Sequence, residues 1–359
     1  MLGEWNPISD EVAHQKQFSG HYRKMQNLHL FLFAWLVLLL HCSSGRKALD
    51  CQPNANTITV DKSGHGNFTS VQSAIDSIPE GNPQWIIIQI SPGKYSEKVT
   101  ISVKKPCIFL AGAGRELTSI EWGDHEVTST SASFTSNPDN IIAKGITFKN
   151  TFNLPMGLDK INWKGEKIIW RQAVSARIKG DKCAFHDCAF LGIQDTLWDE
   201  KGRHYFSECY IEGAIDFIFG KNCMISVNIG RYDSGLRGSI TAQKKEWPQL
   251  SSGFVFKDCE INGNGKAYLG RAWGPYSTVV YYNSIMSDVI VPEGWDAWNY
   301  VHHEANFTYV ESKNKGQGAD TSKRVPWVKK LGADQIRKFL DMSYIDGDGW
   351  LAKTPYKFY

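Results

Sequence analysis

The sequence offers little to a membrane, to nucleic acid or to zinc. Its N-terminal apolar run, LHLFLFAWLVLLL from Leu28 to Leu40, is 13 residues long, whereas a membrane span needs about 20. Stable membrane insertion is therefore not expected. The run fits the hydrophobic part of a secretory signal, with Cys42, Ser43, Ser44 and Gly45 as small residues for cleavage. The segment ahead of Leu28 is long for a signal and carries mixed charge, and a start at Met25 would give ordinary length. An uncleaved signal anchor is the alternative. Net charge is only +3 and no Lys/Arg stripe appears, which argues against a nucleic-acid partner. That weak positive balance suits mild attraction to a polyanion.

The eight cysteines show no zinc-site spacing. If Cys42 leaves with the signal, Cys51, Cys107, Cys183, Cys188, Cys209, Cys223 and Cys259 remain, so at least one is unpaired in a monomer. Other cofactor signatures are also missing. GAGR at Gly112 to Arg115 lacks the Lys-Ser/Thr of a phosphate loop, and DGDG at Asp346 to Gly349 has only two calcium-loop carboxylates. His302 and His303 lack a third ligand. No metal and no cofactor are expected. Long helical patterns are absent as well, which disfavours a doubly wound α/β fold.

What is present is a repeat. Cys188-AFLGIQDTLW and Cys209-YIEGAIDFIFG share one pattern: Cys, three residues, Gly, two residues, Asp. Asp216 lies 21 residues after Asp195. A fixed period in segments rich in Ile, Phe and Gly is the signature of a coil in a stacked β-solenoid. Stacked strands lie about 4.8 Å apart, so the two carboxylates become neighbours on one face. Asp after a strand is often only a turn residue. Two in register, each followed by an apolar segment, favour a reaction centre. Cys188, Cys209 and Cys259 each stand four residues before a Gly and read as small interior fillers.

Short apolar runs broken by Gly, Asn and Asp continue from Trp85: WIIIQI, CIFLAG, IIAKGITFKN, CAFHDCAFLG, HYFSECYIEG, GFVFKDCEING and TVVYYNS. They read as buried strands at coil spacing. Ahead of them Val71, Ala74, Ile75 and Ile78 fall at helical spacing before Pro79, and ADQIRKFLD near the C-terminus predicts a second short helix. The reading is all-β, a parallel solenoid with short capping helices, since an open stack exposes unpaired edges. Asn67-Phe-Thr69 and Asn306-Phe-Thr308 are acceptor sequons that fit an exported chain.

Six strings, in order, carry a resemblance: GKYSEKV (Gly93 to Val99), QAV (Gln172 to Val174), LGIQDTLW (Leu191 to Trp198), EGAIDFIFG (Glu212 to Gly220), YLGRAWGPYS (Tyr268 to Ser277) and PEGWDAW (Pro292 to Trp298). Over Thr57 to Trp350 the chain resembles the plant pectinesterases (pectin methylesterases). The resemblance implies a right-handed parallel β-helix and an aspartyl esterase acting on methyl-esterified pectin in the cell wall. Asp216 would be the nucleophile and Asp195 the general acid, then base. Gln172 and Gln194 would donate to the oxyanion, and Arg271 would pair with Asp216 and keep it ionised. Trp273, Trp295 and Trp298 would stack on sugar rings, with Arg271 and Gln172 also contacting substrate. Ile193 stands where an aromatic is usual, which predicts weaker substrate contact. Ala272 and Gly274 match members without an inhibitor-like pro-domain. The implied organisation is an extension and signal at 1–45 and a catalytic domain at 46–359, secreted and monomeric, with a proteinaceous inhibitor as a partner.

Physical reasoning agrees in part. A guanidinium favours the charged form of one carboxyl, and that charge favours the neutral form of its neighbour. Gln194 and Asp195 are adjacent, however, and adjacent strand residues point to opposite faces. Both can serve one site only if the chain bends, and Gly192 offers a place. Arg271 could instead be a structural ion pair, Gln172 a strand residue, and each Trp a core residue. Two rival functions stay open: a β-helix pectin depolymerase using the same carboxylate pair, and a non-catalytic wall-binding homologue.

Overall fold

The computed structural model describes residues 50–153, 171–220, 223–224 and 237–358. The expected signal at 1–45, the start at Met25 and Cys42 lie outside the described residues, as does the side chain of Cys223. Among the described residues, short parallel strands stack into sheets of ten, eight and five strands, with a further pair formed by Glu260–Ile261 and Ile285–Met286. Each coil contributes one strand to each face in turn. The fold is a right-handed parallel β-helix. The repeat is visible in the register: Ala176 pairs with Leu197 and Leu197 with Ile218, 21 residues apart each time.

The turns explain why coils of this length close. On leaving strands of the ten-stranded sheet the chain passes through a left-handed residue at Gly145, Asp187, Glu208, Asp258, Asn283 and Lys313. A second such column, Cys107, Asn140 and Lys182, precedes the strands starting at Ile108, Ile141 and Cys183. Left-handed backbone is tolerated best by Gly, Asn and Asp. The residues after the first column, Cys188, Cys209 and Cys259, turn inward and are buried, as expected of interior fillers. Cys51 and Cys107 form a disulfide that ties the first strand to the second coil.

Inside, aromatic rings pack from coil to coil: Phe134 tilts against Phe148 with centroids 4.6 Å apart, while Phe185 stacks on Phe206 at 4.9 Å and Phe256 on Tyr281 at 4.4 Å. The helix Val71–Ser77 closes the first coil with Val71, Ala74 and Ile75, and the Ser70 side chain accepts the Ser73 N–H as its cap. The second helix, Ala333–Leu340, does something other than cap the stack. Its Ile336 and Phe339 pack on Val255, Val280 and Val310, on the outer face of the ten-stranded sheet. The segment beyond it continues over the same face, where Ile345, Trp350 and Leu351 cover Phe109, Ile142 and Ala184. That is why strands such as IIAK and CAFH lack alternation: both of their faces are buried.

Candidate active site

Asp195 and Asp216 occupy equivalent positions on successive coils of the eight-stranded sheet, and both have left-handed backbone, φ 62° and 48°. The Asp195 N–H donates to the Ile215 carbonyl at 3.1 Å, which locks the two coils together at the site. Next to Asp216 the pairing with the following strand slips between Ile215 and Ile218. Such a bulge re-aims a side chain. The left-handed Asp195 also answers the alternation problem: it breaks the strand, so Gln194 and Asp195 line the same cleft. The bend lies at Asp195 itself and not at Gly192, where an added Cβ would meet Thr196 Oγ1 at 2.7 Å.

The cleft has a volume of about 610 Å³. It gathers Asp195, Asp216, Gln172, Gln194, Arg271, Trp273 and Trp298. Both carboxyls are nearly buried. Asp216 Oδ2 accepts a hydrogen bond from Arg271 Nη2, while Asp216 Oδ1 has no hydrogen-bond partner among the described residues. Arg271 is held in turn by the face of Trp298, with its guanidinium carbon 4.2 Å from the ring centroid. Asp195 Oδ2 accepts from Thr128 Oγ1 at 3.1 Å. Burial pushes the Asp195 carboxyl up to about 7, and the charge of Asp216 adds to this, while Thr128 and Arg271 pull the other way. Burial raises Asp216 too, but there the hydrogen bond and charge of Arg271 oppose it directly. The ion pair thus restrains a rise that burial drives, which is a narrower role than simply keeping Asp216 ionised. Neither Gln172 nor Gln194 has a side-chain partner among the described residues, so both amides are free to donate into the cleft.

Two expectations fail because the side chains face the core. Trp295 is not at the cleft. It is 1% exposed, stacks on Tyr309 at 4.3 Å and donates its indole N–H to Glu311 at 2.9 Å, because its strand points it inward beside Gly270. Ile193 likewise faces the core at 1% exposure, so an aromatic there would not touch substrate. Thr128, Ser129 and Trp198 line the cleft without having been singled out. Trp198 follows Asp195 on the outward side, and Arg177 stacks on it at 4.1 Å. The only sequence signal for Thr128 is a hydroxyl-rich stretch, TSTS, which spacing alone does not connect to Asp195.

A parallel β-helix with an open groove, two buried carboxyls on adjacent coils and an arginine on one of them is the frame of a hydrolase that works along a polymer. The pectinesterase family model matches residues 57–348. The chain is 47% identical over 304 residues to Probable pectinesterase 29 of Arabidopsis thaliana, covering 83% of this chain and 89% of that protein. Among solved structures it is similar to pectin methylesterase from carrot, with TM-score 0.75, 30% identity and coverage of 84% and 97% of the two chains. It is also similar to a pectin methylesterase in complex with a hexasaccharide, with TM-score 0.70, 25% identity and coverage of 82% and 98%. The chain belongs to the pectinesterase family and is a carboxylic ester hydrolase of methyl-esterified pectin.

Proposed function

We propose that the chain demethylates homogalacturonan through an acyl-aspartyl intermediate built on Asp216. The observation that carries this is the asymmetry of that carboxylate at the cleft: Oδ2 is bound by Arg271, and Oδ1 is buried with no hydrogen-bond partner among the described residues. Oδ1 attacks the ester carbonyl carbon. The oxyanion that forms takes N–H donors from Gln172 and Gln194. Asp195, protonated below about pH 7, gives its proton to the departing methoxy oxygen, and methanol leaves. The same carboxylate, now ionised, takes a proton from water, which attacks the Asp216 anhydride and releases a free galacturonate carboxylate. Trp273 and Trp298 flank the reacting sugar.

A depolymerase would protonate a glycosidic oxygen and has no use for two amides aimed at an oxyanion, and a binding protein has no use for a buried protonated carboxyl. The test is methanol release from highly methylated pectin with reducing ends counted in the same tubes. Methanol without new ends is expected from the wild type, and none from Asp216→Ala or Asp195→Ala. New chain ends would favour the depolymerase, and silence on both assays from folded protein would favour the wall-binding homologue.

The site of action is the cell wall, reached by secretion after loss of 1–45, with 46–359 as the catalytic domain. The Cys51–Cys107 disulfide supports an oxidising compartment, and Asn67 and Asn306 are both exposed. The expected outcome is that the secreted chain gains mobility on glycosidase treatment, and that Asn67→Gln and Asn306→Gln together remove that change. The protein is read as a monomer whose open cleft also admits a proteinaceous inhibitor.

A further inference from the structure

Round the corner from the catalytic cleft, the chain leaves the eight-stranded sheet at Gln243, loops through 244–252 and re-enters the ten-stranded sheet at Phe254. The insertion lengthens the coil, so Ala242 pairs with Arg271 29 residues on, against 21 for Leu197 and Ile218. Where this loop meets the helix Ala333–Leu340 lies a recess of about 370 Å³. Lys245, Lys329 and Lys338 line it, together with Ser252, Thr278 and Tyr344, and none of the described lining residues is acidic. Acids on the same segments are engaged elsewhere: Glu246 with Lys244 at 2.8 Å, Asp334 with Arg337 at 3.2 Å, and Asp341 with the Ser343 N–H at 2.8 Å. No ion pair of the three lysines exists among the described residues.

A second observation points to a missing ligand. Ser252 is 5% exposed, and its Oγ is buried with no hydrogen-bond partner among the described residues. A buried hydroxyl without a partner is costly and calls for an acceptor. Electrostatics agree, since the Lys245 ammonium is pulled down by burial and then by the charges of Lys338 and Lys329. Three cations and a free hydroxyl around one recess, without a counter-charge, make a site for an oxyanion. It is joined to the catalytic cleft through consecutive residues. Lys244 Nζ lies 5.4 Å from the Trp273 ring centroid at the cleft, while Lys245 lines the recess and accepts the Tyr276 N–H at 3.0 Å.

We propose that this recess is a second polysaccharide site that takes the free carboxylate of a galacturonate unit already de-esterified. The choice of uronate rests on the pectinesterase reading; the anion site rests on the recess itself. Its lysines would grip the product tract and leave methyl-esterified units ungripped, which keeps the enzyme on a chain it has begun to demethylate.

The experiment is calorimetric titration of the full chain with fully de-esterified oligogalacturonate, with inorganic sulfate as a second titrant. Wild type is expected to bind two equivalents. Lys245→Gln, Lys329→Gln and Lys338→Gln combined should weaken one equivalent at least about tenfold, while Arg271→Ala should weaken the other. Ser252→Ala, which removes only the unpaired hydroxyl, should weaken the recess equivalent about threefold. Methanol release from a short methylated oligomer should be unchanged in the lysine variant, which also shows that it is folded. An isotherm for the lysine variant equal to that of the wild type would overturn the proposal, and so would sulfate binding in the recess as tightly as the oligomer. Absence of methanol release from the wild type with recess binding intact would instead fault the esterase reading alone.

Discussion

Asp195 and Asp216 have the same backbone and the same burial but different partners, and chemistry follows from that difference. Burial pushes the Asp195 carboxyl up to about 7, and the Thr128 hydroxyl, its hydrogen-bond partner, offsets only part of that rise. Its folded value lies above the ordinary 3.8, so folding favours the protonated form. The stability this gives is full below the ordinary value and is lost as pH rises to about 7. Asp195→Asn is therefore expected to abolish methanol release and yet stabilise the protein at pH 8 by ~1–3 kcal/mol, since a buried charge is replaced by a neutral isostere. Thermal melts of both proteins at pH 5 and pH 8 check it: the gain should appear at pH 8 and shrink at pH 5. In the wild type, kcat/KM should fall as pH rises past about 7, where the proton donor is lost. At this scale the sequence was informative where chemistry repeats, at Asp195 and Asp216, and through the family strings at Gln172, Gln194, Arg271 and Trp273. It was silent on Thr128, whose contact crosses 67 residues, and it misplaced Trp295, whose inward side depends on where its strand begins.

At the level of elements, the coil is a strand and a one-residue turn repeated, and both parts leave traces in sequence. The Cys-to-Gly spacing gave the period, and the apolar runs gave the strands. The turns were legible only as the Gly, Asn and Asp that break the apolar runs, because a left-handed Glu208 or Lys313 leaves no such mark. Gly180 shows a different constraint. Its backbone angle is ordinary, but a Cβ would stand 1.7 Å from the Pro138 carbonyl oxygen of the previous coil, and its own carbonyl accepts His204 Nε2 at 2.6 Å. His204 is wholly buried and bonds Asp199 at 2.6 Å. Gly180→Ala must push two coils apart and disturb that buried pair, so a loss of about 3 kcal/mol or more is expected. The corner also orients the strand that carries Trp198 at the cleft. Denaturant unfolding checks the loss, with Gly81→Ala as the control: no atom lies within 4 Å of its Cβ, though its φ of 70° adds a smaller strain.

For the molecule as a whole, the ten-stranded sheet has two apolar faces and one interior. The inner face fills the solenoid; the outer face needs a cover, which residues 333–358 supply. Tyr356 packs on Phe109 and His186, with centroids 6.2 and 5.0 Å apart, and Phe358 on Tyr205 at 5.6 Å. Arg203, anchored on the coil by Asp181 at 2.6 Å, clamps the strap through Asp348 at 2.6 Å. Strand sequences such as IIAK announced burial on both sides, but the strap itself reads as polar turns between scattered aromatics, so what covers the sheet was not legible. None of these contacts reaches the catalytic cleft, which opens on the eight-stranded sheet. Ending the chain after Leu331 should leave the carboxylate pair and Arg271 in place but expose Val255, Val280, Val310, Ile142 and Phe109 together. A contiguous apolar face of that kind drives association. The truncated chain is expected to aggregate on secretion or refolding, and any soluble fraction to bind a hydrophobic dye strongly while still releasing methanol. Light scattering and dye binding beside the methanol assay check this. A monodisperse truncated chain with wild-type melting would mean that the strap contributes nothing to the fold.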